Sequence, residues 1–511
     1  MPRGSVIGVL VPGQRVDASR NRSTAERGHM QLTDAGELIV PRGRILANLS
    51  DTISDVSDQS WDGFRRTMRD CAWTTSSVRA NYSYATQHMA KTCGPNWGRF
   101  DNDECLEDQG GAAVESCEAD AAADDGADVD GSKWLAQRIG PIHSSGGYDW
   151  HEFKLEGWPA LTQMLNEQSE VWVTGLSTLA VDPFADSSTE VLRYPRIHNH
   201  HSHVIASSGS RMDNFAAFSE GVYQRSIILN HQDRVCALSE DYRCMLTLFP
   251  PGHGVLLIKT VDFFALFNDA RDAKSSSMSW RVETALRILP IRARTALRPV
   301  DMWYGTHFYT DNAFGTFAVP SQLDSVAWTQ VVADVSGTIL SIWMHTHGSK
   351  GHLETWFFDA PSTALGLDVA PFVQPDCSPF VPADHALTLT AIKSHIVAAA
   401  NTHRAPLRCV ATTPQGLNYG ALGDRQPIWR CYDGVGQTLV AGTNMTVISF
   451  FRRSKVEPGS TPYKDGRVYA LQHQHFQVYL VRSESTSDPQ PFHKYGVEQL
   501  PFKYGCPVVP A

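Results

Sequence analysis

The sequence predicts a mainly β protein: two packed antiparallel β-sandwich domains of the jelly-roll kind, preceded by a poorly ordered N-terminal region. Three observations carry this expectation. First, short runs rich in β-branched and aromatic residues recur from Trp150 onward, such as Val171-Trp172-Val173, Thr338 to Met344 and Met445 to Phe451. Second, these runs are separated by Gly, Pro, Asn and Asp, as at Pro250-Pro251-Gly252 and Pro458-Gly459. Third, the chain shows no internal repeat at a solenoid or propeller period, which leaves sandwiches as the economical way to bury so many short strands.

Taken in order, residues 1–100 read as a polar N-terminal region, with scattered aromatics between Trp61 and Met89 that fit one or two helices. Residues 101–150 read as an acidic linker, disordered over Asp101 to Gly131, because that stretch has little apolar area to offset its ordering entropy. The two sandwiches are expected at 151–300 and 301–490, followed by a tail at 491–511. Strands are expected at Glu170 to Val173, His203 to Ala206, Met245 to Phe249, Gly254 to Ile258, Thr338 to Met344, Met445 to Phe451 and Phe476 to Val481. Between Asp384 and Asn401, Ala, Leu, Ile and Val recur at helical spacing, which predicts a helix there.

Charge and hydropathy exclude some partners. The formal net charge is −10, yet residues 101–130 hold twelve Asp and Glu and no Lys or Arg, so the remainder sums to about +2. Arg residues are scattered rather than gathered into a stripe, which argues against a nucleic-acid footprint. The most apolar window, Val255 to Phe267, is broken by Lys259 and Asp262, so no membrane span is expected. Ten cysteines suit an oxidising compartment and disulfide bonds, although Met1-Pro2-Arg3-Gly4 does not lead into a signal-peptide core.

The chemistry concentrates in three histidine clusters. In Ile342-Trp343-Met344-His345-Thr346-His347, the two histidines share a strand face about 6.6 Å apart, a spacing from which both can meet one metal ion. The others are His198-Asn199-His200-His201-Ser202-His203 and His473-Gln474-His475-Phe476. In a regular strand His201 and His203 fall on one face, with His198 and His200 on the other. Adjacent His200 and His201 therefore converge only across a bend or bulge. His307 is expected to be a satisfied strand histidine, His352 a solvated loop histidine, and Met445 a core residue.

In order and spacing these clusters resemble the copper type II, ascorbate-dependent monooxygenases, the family of peptidylglycine α-hydroxylating monooxygenase and dopamine β-monooxygenase. The resemblance spans roughly residues 165–485. It implies copper held by His345, His347 and His475, a second copper near His200, His201 and His203, ascorbate as reductant, and Tyr479 lining the substrate site. It further implies a secretory or extracellular setting and a small-molecule substrate, which the sequence does not identify. His475 stands where the amidating enzymes carry a methionine ligand, and a three-histidine set suits zinc as well as copper. The third histidine of the family's first half is expected near Val255 to Asp262, where this chain has none; His253 is displaced by several residues. Trp343 replaces the arginine that grips a peptide carboxylate, which argues against a glycine-extended peptide as substrate.

Two other function classes fit the same residues. One is a catalytically degenerate metal-binding or structural β-sandwich protein. The other is a cupin-like mononuclear oxygenase, in which Glu354 would join His345 and His347 as a ligand.

Overall fold

The structure is a computed structural model. It describes residues 29–40, 45–46, 58–86, 106–121, 131–185, 190–192, 196–206, 226–229, 246–257, 260–290, 297–306, 316–321, 324–333, 336–346, 351–368, 381–382, 388–413, 428–432, 438–454 and 468–483. The chain opens with β1 (Gln31–Leu32), β2 (Leu38–Ile39) and β3 (Ile45–Leu46), then helix α1 (Asp58–Asp70). Next come β4 (Thr74–Ala85), β5 (Glu107–Asp120), β6 (Lys133–Ser144), β7 (Asp149–Leu155), α2 (Pro159–Gln168) and β8 (Val171–Val181). The N-terminal half closes with β9 (Ile197–Ala206), β10 (Ser226–Leu229), β11 (Leu246–Leu248), β12 (His253–Leu257), β13 (Val261–Asp269) and β14 (Met278–Pro290).

The C-terminal half contains β15 (Arg298–Thr306), β16 (Thr316–Pro320), β17 (Ser325–Val332), β18 (Gly337–Thr346) and β19 (His352–Phe358). It continues with β20 (Val381–Pro382), α3 (Leu389–His403), β21 (Leu407–Thr412), β22 (Ile428–Tyr432), β23 (Thr438–Leu439), β24 (Asn444–Phe451) and β25 (Tyr469–Arg482). The fold is thus mainly β, as expected. Helix α3 falls where the Ala- and Ile-rich spacing put it. Its start is fixed by Thr388, whose side chain accepts a hydrogen bond from the Ala391 N–H.

A 16-stranded sheet follows the order β10-β9-β13-β7-β4-β5-β6-β14-β8-β12-β15-β25-β18-β23, with β11 paired to β8 and β16 to β25 beside this path. Its N-terminal part curls: Leu192 N–H donates to the Ala180 carbonyl at 2.9 Å, and Val191 bridges Val181. The halves join through β12 and β15, which pair in parallel over His253 with Arg298 and Gly254 with Pro299. The two histidine-bearing strands β9 and β18 therefore lie at distant positions of one hydrogen-bonded sheet, on either side of this two-residue junction. A seven-stranded sheet, β20-β17-β24-β19-β21-β22-β3, forms the other layer of the C-terminal half. One face of it supplies Phe357, Met445 and Val447 to a core shared with Val478 and Leu480 of β25 and with the N-terminal half. Its other face packs Trp356, Ile448 and Phe450 under α3. Met445 is fully buried, as expected.

The expectation of a disordered linker over 101–150 is overturned. β5 is an interior strand, paired with β4 on one side and β6 on the other, and β6 and β7 follow within the same stretch. Charge density was the wrong measure. Val114 and Cys117, on opposite faces of β5, are buried in two different core clusters, while Glu118 meets Lys133 at 2.6 Å and Glu115 pairs with Arg281. Residues 101–105 and 122–130 lie outside the described residues. The helical reading of Trp61 to Met89 holds only as far as Asp70, since Thr74–Ala85 is strand. The N-terminal sandwich accordingly begins well before residue 151.

A disulfide joins Cys71 at the end of α1 to Cys117 of β5, 46 residues apart. Closing a loop of that length in the unfolded chain is worth about 4 kcal/mol in the chain-entropy model. Cys71→Ser is expected to lower the urea midpoint correspondingly, with wild type and variant becoming equivalent under reducing conditions. A persistent difference after reduction would assign the loss to packing instead.

Candidate functional site

Strand β9 carries the early cluster. It pairs antiparallel with β13 in a register that shifts between Leu266 and Phe267: His201 stands opposite Leu266, and Asn199 opposite Phe267. His200 is therefore the extra residue of a bulge, the irregularity that adjacent histidines require. The shift also changes the parity of the strand. His203, His201 and His198 stand opposite Phe264, Leu266 and Asn268 and so share one face, while Ser202 and Asn199 share the other with Ala265 and Phe267. His198, expected opposite His201, is on its face instead. Its ring is buried and its Nδ1 is 2.8 Å from the Tyr148 hydroxyl, so one of its nitrogens is already engaged.

Strand β25 carries the late cluster and lies between β18 and β15. His475 stands directly opposite His345 on β18 and opposite Thr306 on β15. Directly opposed residues on antiparallel strands have Cβ atoms roughly 4.5–5.5 Å apart on the same face, a separation one metal ion can bridge. Tyr479, four residues on, stands opposite Ser341 and Met302 on that same face. Val478 and Leu480, on the other face of β25, are fully buried in the core. His473 stands opposite Thr316. His347 and His307 lie outside the described residues, as do the side chains of His200, His201, His203, His345, His475 and Tyr479. Among the described residues no group of three or more His, Cys, Asp or Glu side chains could hold a metal.

Where the resemblance expects a third histidine in the first half, the described residues are apolar or engaged. Val255, Leu257 and Val261 are buried, and Asp262 accepts the Gly157 N–H at 2.7 Å. His253 begins β12, with its Nδ1 3.0 Å from the Pro251 carbonyl oxygen. Glu354, the extra ligand of the cupin-like reading, is committed elsewhere: it pairs with Lys393 of α3 and accepts the Trp356 indole N–H at 3.0 Å. Both of its oxygens are thus engaged, one by Lys393 and the other by Trp356.

The expectation of a solvated His352 is overturned. His352 is 1% exposed, with Nδ1 2.6 Å from the Thr413 hydroxyl and Nε2 2.8 Å from the Thr355 hydroxyl, which in turn meets Ser449. A register shift between His352 and Glu354 turns it inward. Burial pushes its pKa down to about 3, and likewise that of His151, which sits between Tyr82 and Trp280, to about 4. Neutral burial has a definite sign. The unfolded chain takes up these protons below about pH 6.5 while the folded one refuses them, so stability is full above that pH and falls as the pH drops toward 4. Each histidine contributes a slope of about 1.4 kcal/mol per pH unit in that window. His352→Gln is expected to lower stability at pH 7 yet flatten its fall between pH 6 and 4, as read from urea midpoints across that range. An unchanged slope would show that His352 charges in the native state.

No protein-family model matches the sequence, and no curated protein matches it.

Proposed function

We propose that this protein is a divergent copper-dependent monooxygenase-like enzyme that hydroxylates a C–H bond with O2 and a reductant such as ascorbate. Its reacting metal would be held by His345, His347 and His475, and a second metal by His200, His201 and His203. The observation that carries the reading is the pairing of His345 with His475 at one register position of adjacent strands. The two clusters are 130 residues apart in sequence, and the β18–β25 ladder brings them to one position. A set of neutral nitrogen donors fits copper, and equally zinc.

Bound copper would supply the O2 and one-electron chemistry. The protein's share is to hold the ligand imidazoles neutral, to fix their spacing through the β18–β25 ladder, and to present a substrate along the face that also carries Tyr479, Met302 and Tyr304. Among the residues paired at the parity of His475, from the His345–His475 position to the Val300–Val481 position, the sequence has no Lys, Arg, Asp or Glu. An uncharged substrate is therefore favoured over a peptide carboxylate.

The second reading is a metal-binding or structural module without catalysis, favoured by the absence of a histidine among the described residues from Val255 to Asp262. Elemental analysis of the purified protein, followed by oxygen uptake with ascorbate, separates them. Copper with ascorbate-dependent uptake is the expected result. Tight zinc with no uptake would hand the protein to the structural reading.

A further inference from the structure

Residues 29–40 form a hairpin whose two strands are only two residues long each, closed by Gly36 N–H to the Thr33 carbonyl and Thr33 N–H to the Glu37 carbonyl, both 2.9 Å. Such a hairpin has no independent stability in water. It is held by the C-terminal half, although the chain that follows it at Asp58 belongs to the N-terminal half through Arg65 and the Cys71–Cys117 disulfide. Residues 45–46 continue the attachment by adding an edge strand beside β22, Leu46 opposite Cys431.

The manner of holding is specific. On α3, the Asn401 side-chain amide grips the backbone of Met30 twice: its oxygen accepts the Met30 N–H at 2.9 Å, and its nitrogen donates to the Met30 carbonyl at 2.8 Å. Lys393, anchored by Glu354 and lying 5.0 Å from the centre of the Phe450 ring, reaches the Gly36 carbonyl at 3.4 Å. Both contacts read main-chain groups, which any extended peptide offers. Selectivity comes from the apolar residues Met30, Leu32, Leu38 and Val40 against the Ile392, Ile396 and Ala400 cluster, and from Gly36. Gly36 has φ +77°, and a Cβ there would stand 2.8 Å from the Thr390 hydroxyl. Main-chain hydrogen bonds for affinity and apolar side-chain contacts for selectivity are the division of labour by which proteins bind extended peptides.

We infer that the surface formed by α3 and the seven-stranded sheet is a peptide-binding site, and that residues 29–40 are its ligand in cis, a strap that docks and detaches without unfolding of the sandwiches. The inference is independent of the proposed metal chemistry. Its occupant is this chain's own segment, in which each strand is two residues long and, of the apolar residues on the cluster, Met30 is buried while Leu32, Leu38 and Val40 are half-buried, the features of an element that opens locally.

The test uses the full chain with a specific protease site inserted between residues 47 and 57. After nicking, the strap is expected to leave on dilution while the circular-dichroism spectrum of the remainder is retained. A fluorescent synthetic peptide of residues 27–46 is then expected to rebind the nicked protein one-to-one, in the micromolar range. Asn401→Ala in the protein, or Gly36→Val in the peptide, is expected to weaken binding at least tenfold, and a scrambled peptide not to bind. A strap that never leaves, a remainder that unfolds when it does, no rebinding of the peptide, or binding indifferent to Asn401→Ala and Gly36→Val would each overturn the inference.

Discussion

Arg65→Ala is expected to cost the fold about 3–5 kcal/mol, measured by urea unfolding at pH 7, because it removes the cation shared by two buried carboxylates, leaving Glu283 to Arg138 and Glu190 to Arg69 and Arg138 at 3.9 Å. Arg65 projects from α1 to Glu190, 2.7 Å away, and to Glu283 on β14, while Arg138 of β6 binds Glu283 at 2.8 Å. The Arg65, Arg138, Glu190 and Glu283 side chains are 6%, 9%, 7% and 1% exposed, so water cannot replace a missing partner. Burial alone would raise the pKa of Glu283, but the Arg65 and Arg138 charges and hydrogen bonds outweigh it and hold that pKa below the ordinary glutamate value. A depressed carboxylate contributes stability above its unfolded pKa of about 4.3 and loses it as the pH falls through the folded value. The gap between wild type and Arg65→Ala is therefore expected to narrow below pH 4, where Glu283 of the variant, left to Arg138 alone, takes a proton. Arg65→Lys should rescue little, since one ammonium on a flexible stem does not reproduce a guanidinium shared between two carboxylates. A loss under about 1 kcal/mol would mean that α1 is held by the packing of Trp61, Phe64 and Met68 and by the Cys71–Cys117 disulfide.

The same cluster shows what could and could not be read in the sequence. β8, β9, β11, β12, β18, β24 and β25 announce themselves by β-branched and aromatic density, and α3 by its apolar spacing, whereas the strands between them are not among those expected from the sequence. Nor do β4 and β5 announce themselves. Thr74–Ala85 and Glu107–Asp120 are polar, and they are strands because neighbours on both sides complete their hydrogen bonds while a few inward residues, Ala80, Val114 and Cys117, meet the core. That is a tertiary decision with little local signature. The hairpin at 29–40 was hidden for a like reason: its partner, α3, lies more than 350 residues away.

In the candidate site, the need for a bulge beside His201 was legible from two adjacent histidines, but the parity it creates was not. Only the register with β13 reveals that His198, His201 and His203 share a face. The opposition of His345 and His475 likewise depended on a long-range register. His352 was misjudged because a glycine before it suggested a loop, whereas Gly351, at φ +88°, is the turn that admits the buried strand β19.

The largest effect on chemistry is expected at His475. If the face shared with His345 carries the working metal, His475→Ala leaves His345 and His347 on an otherwise open ion, and copper occupancy is expected to fall sharply in elemental analysis. His475→Met is expected to preserve or raise ascorbate-dependent oxygen uptake, because a thioether is a softer donor than imidazole and favours reduced copper. The two substitutions act at one register position in the middle of a paired strand, so circular dichroism should show both variants folded. Thr306, on the other side of His475, supplies the control: Thr306→Val alters the neighbouring position without removing a nitrogen donor, and copper content should not change. If His475→Met and His475→Ala lose activity equally while the wild type consumes oxygen, the three-histidine site is itself the catalyst and the methionine analogy fails. If the wild type binds zinc, ignores ascorbate and gains nothing from His475→Met, the opposed histidines serve structure, and the enzyme reading falls with them.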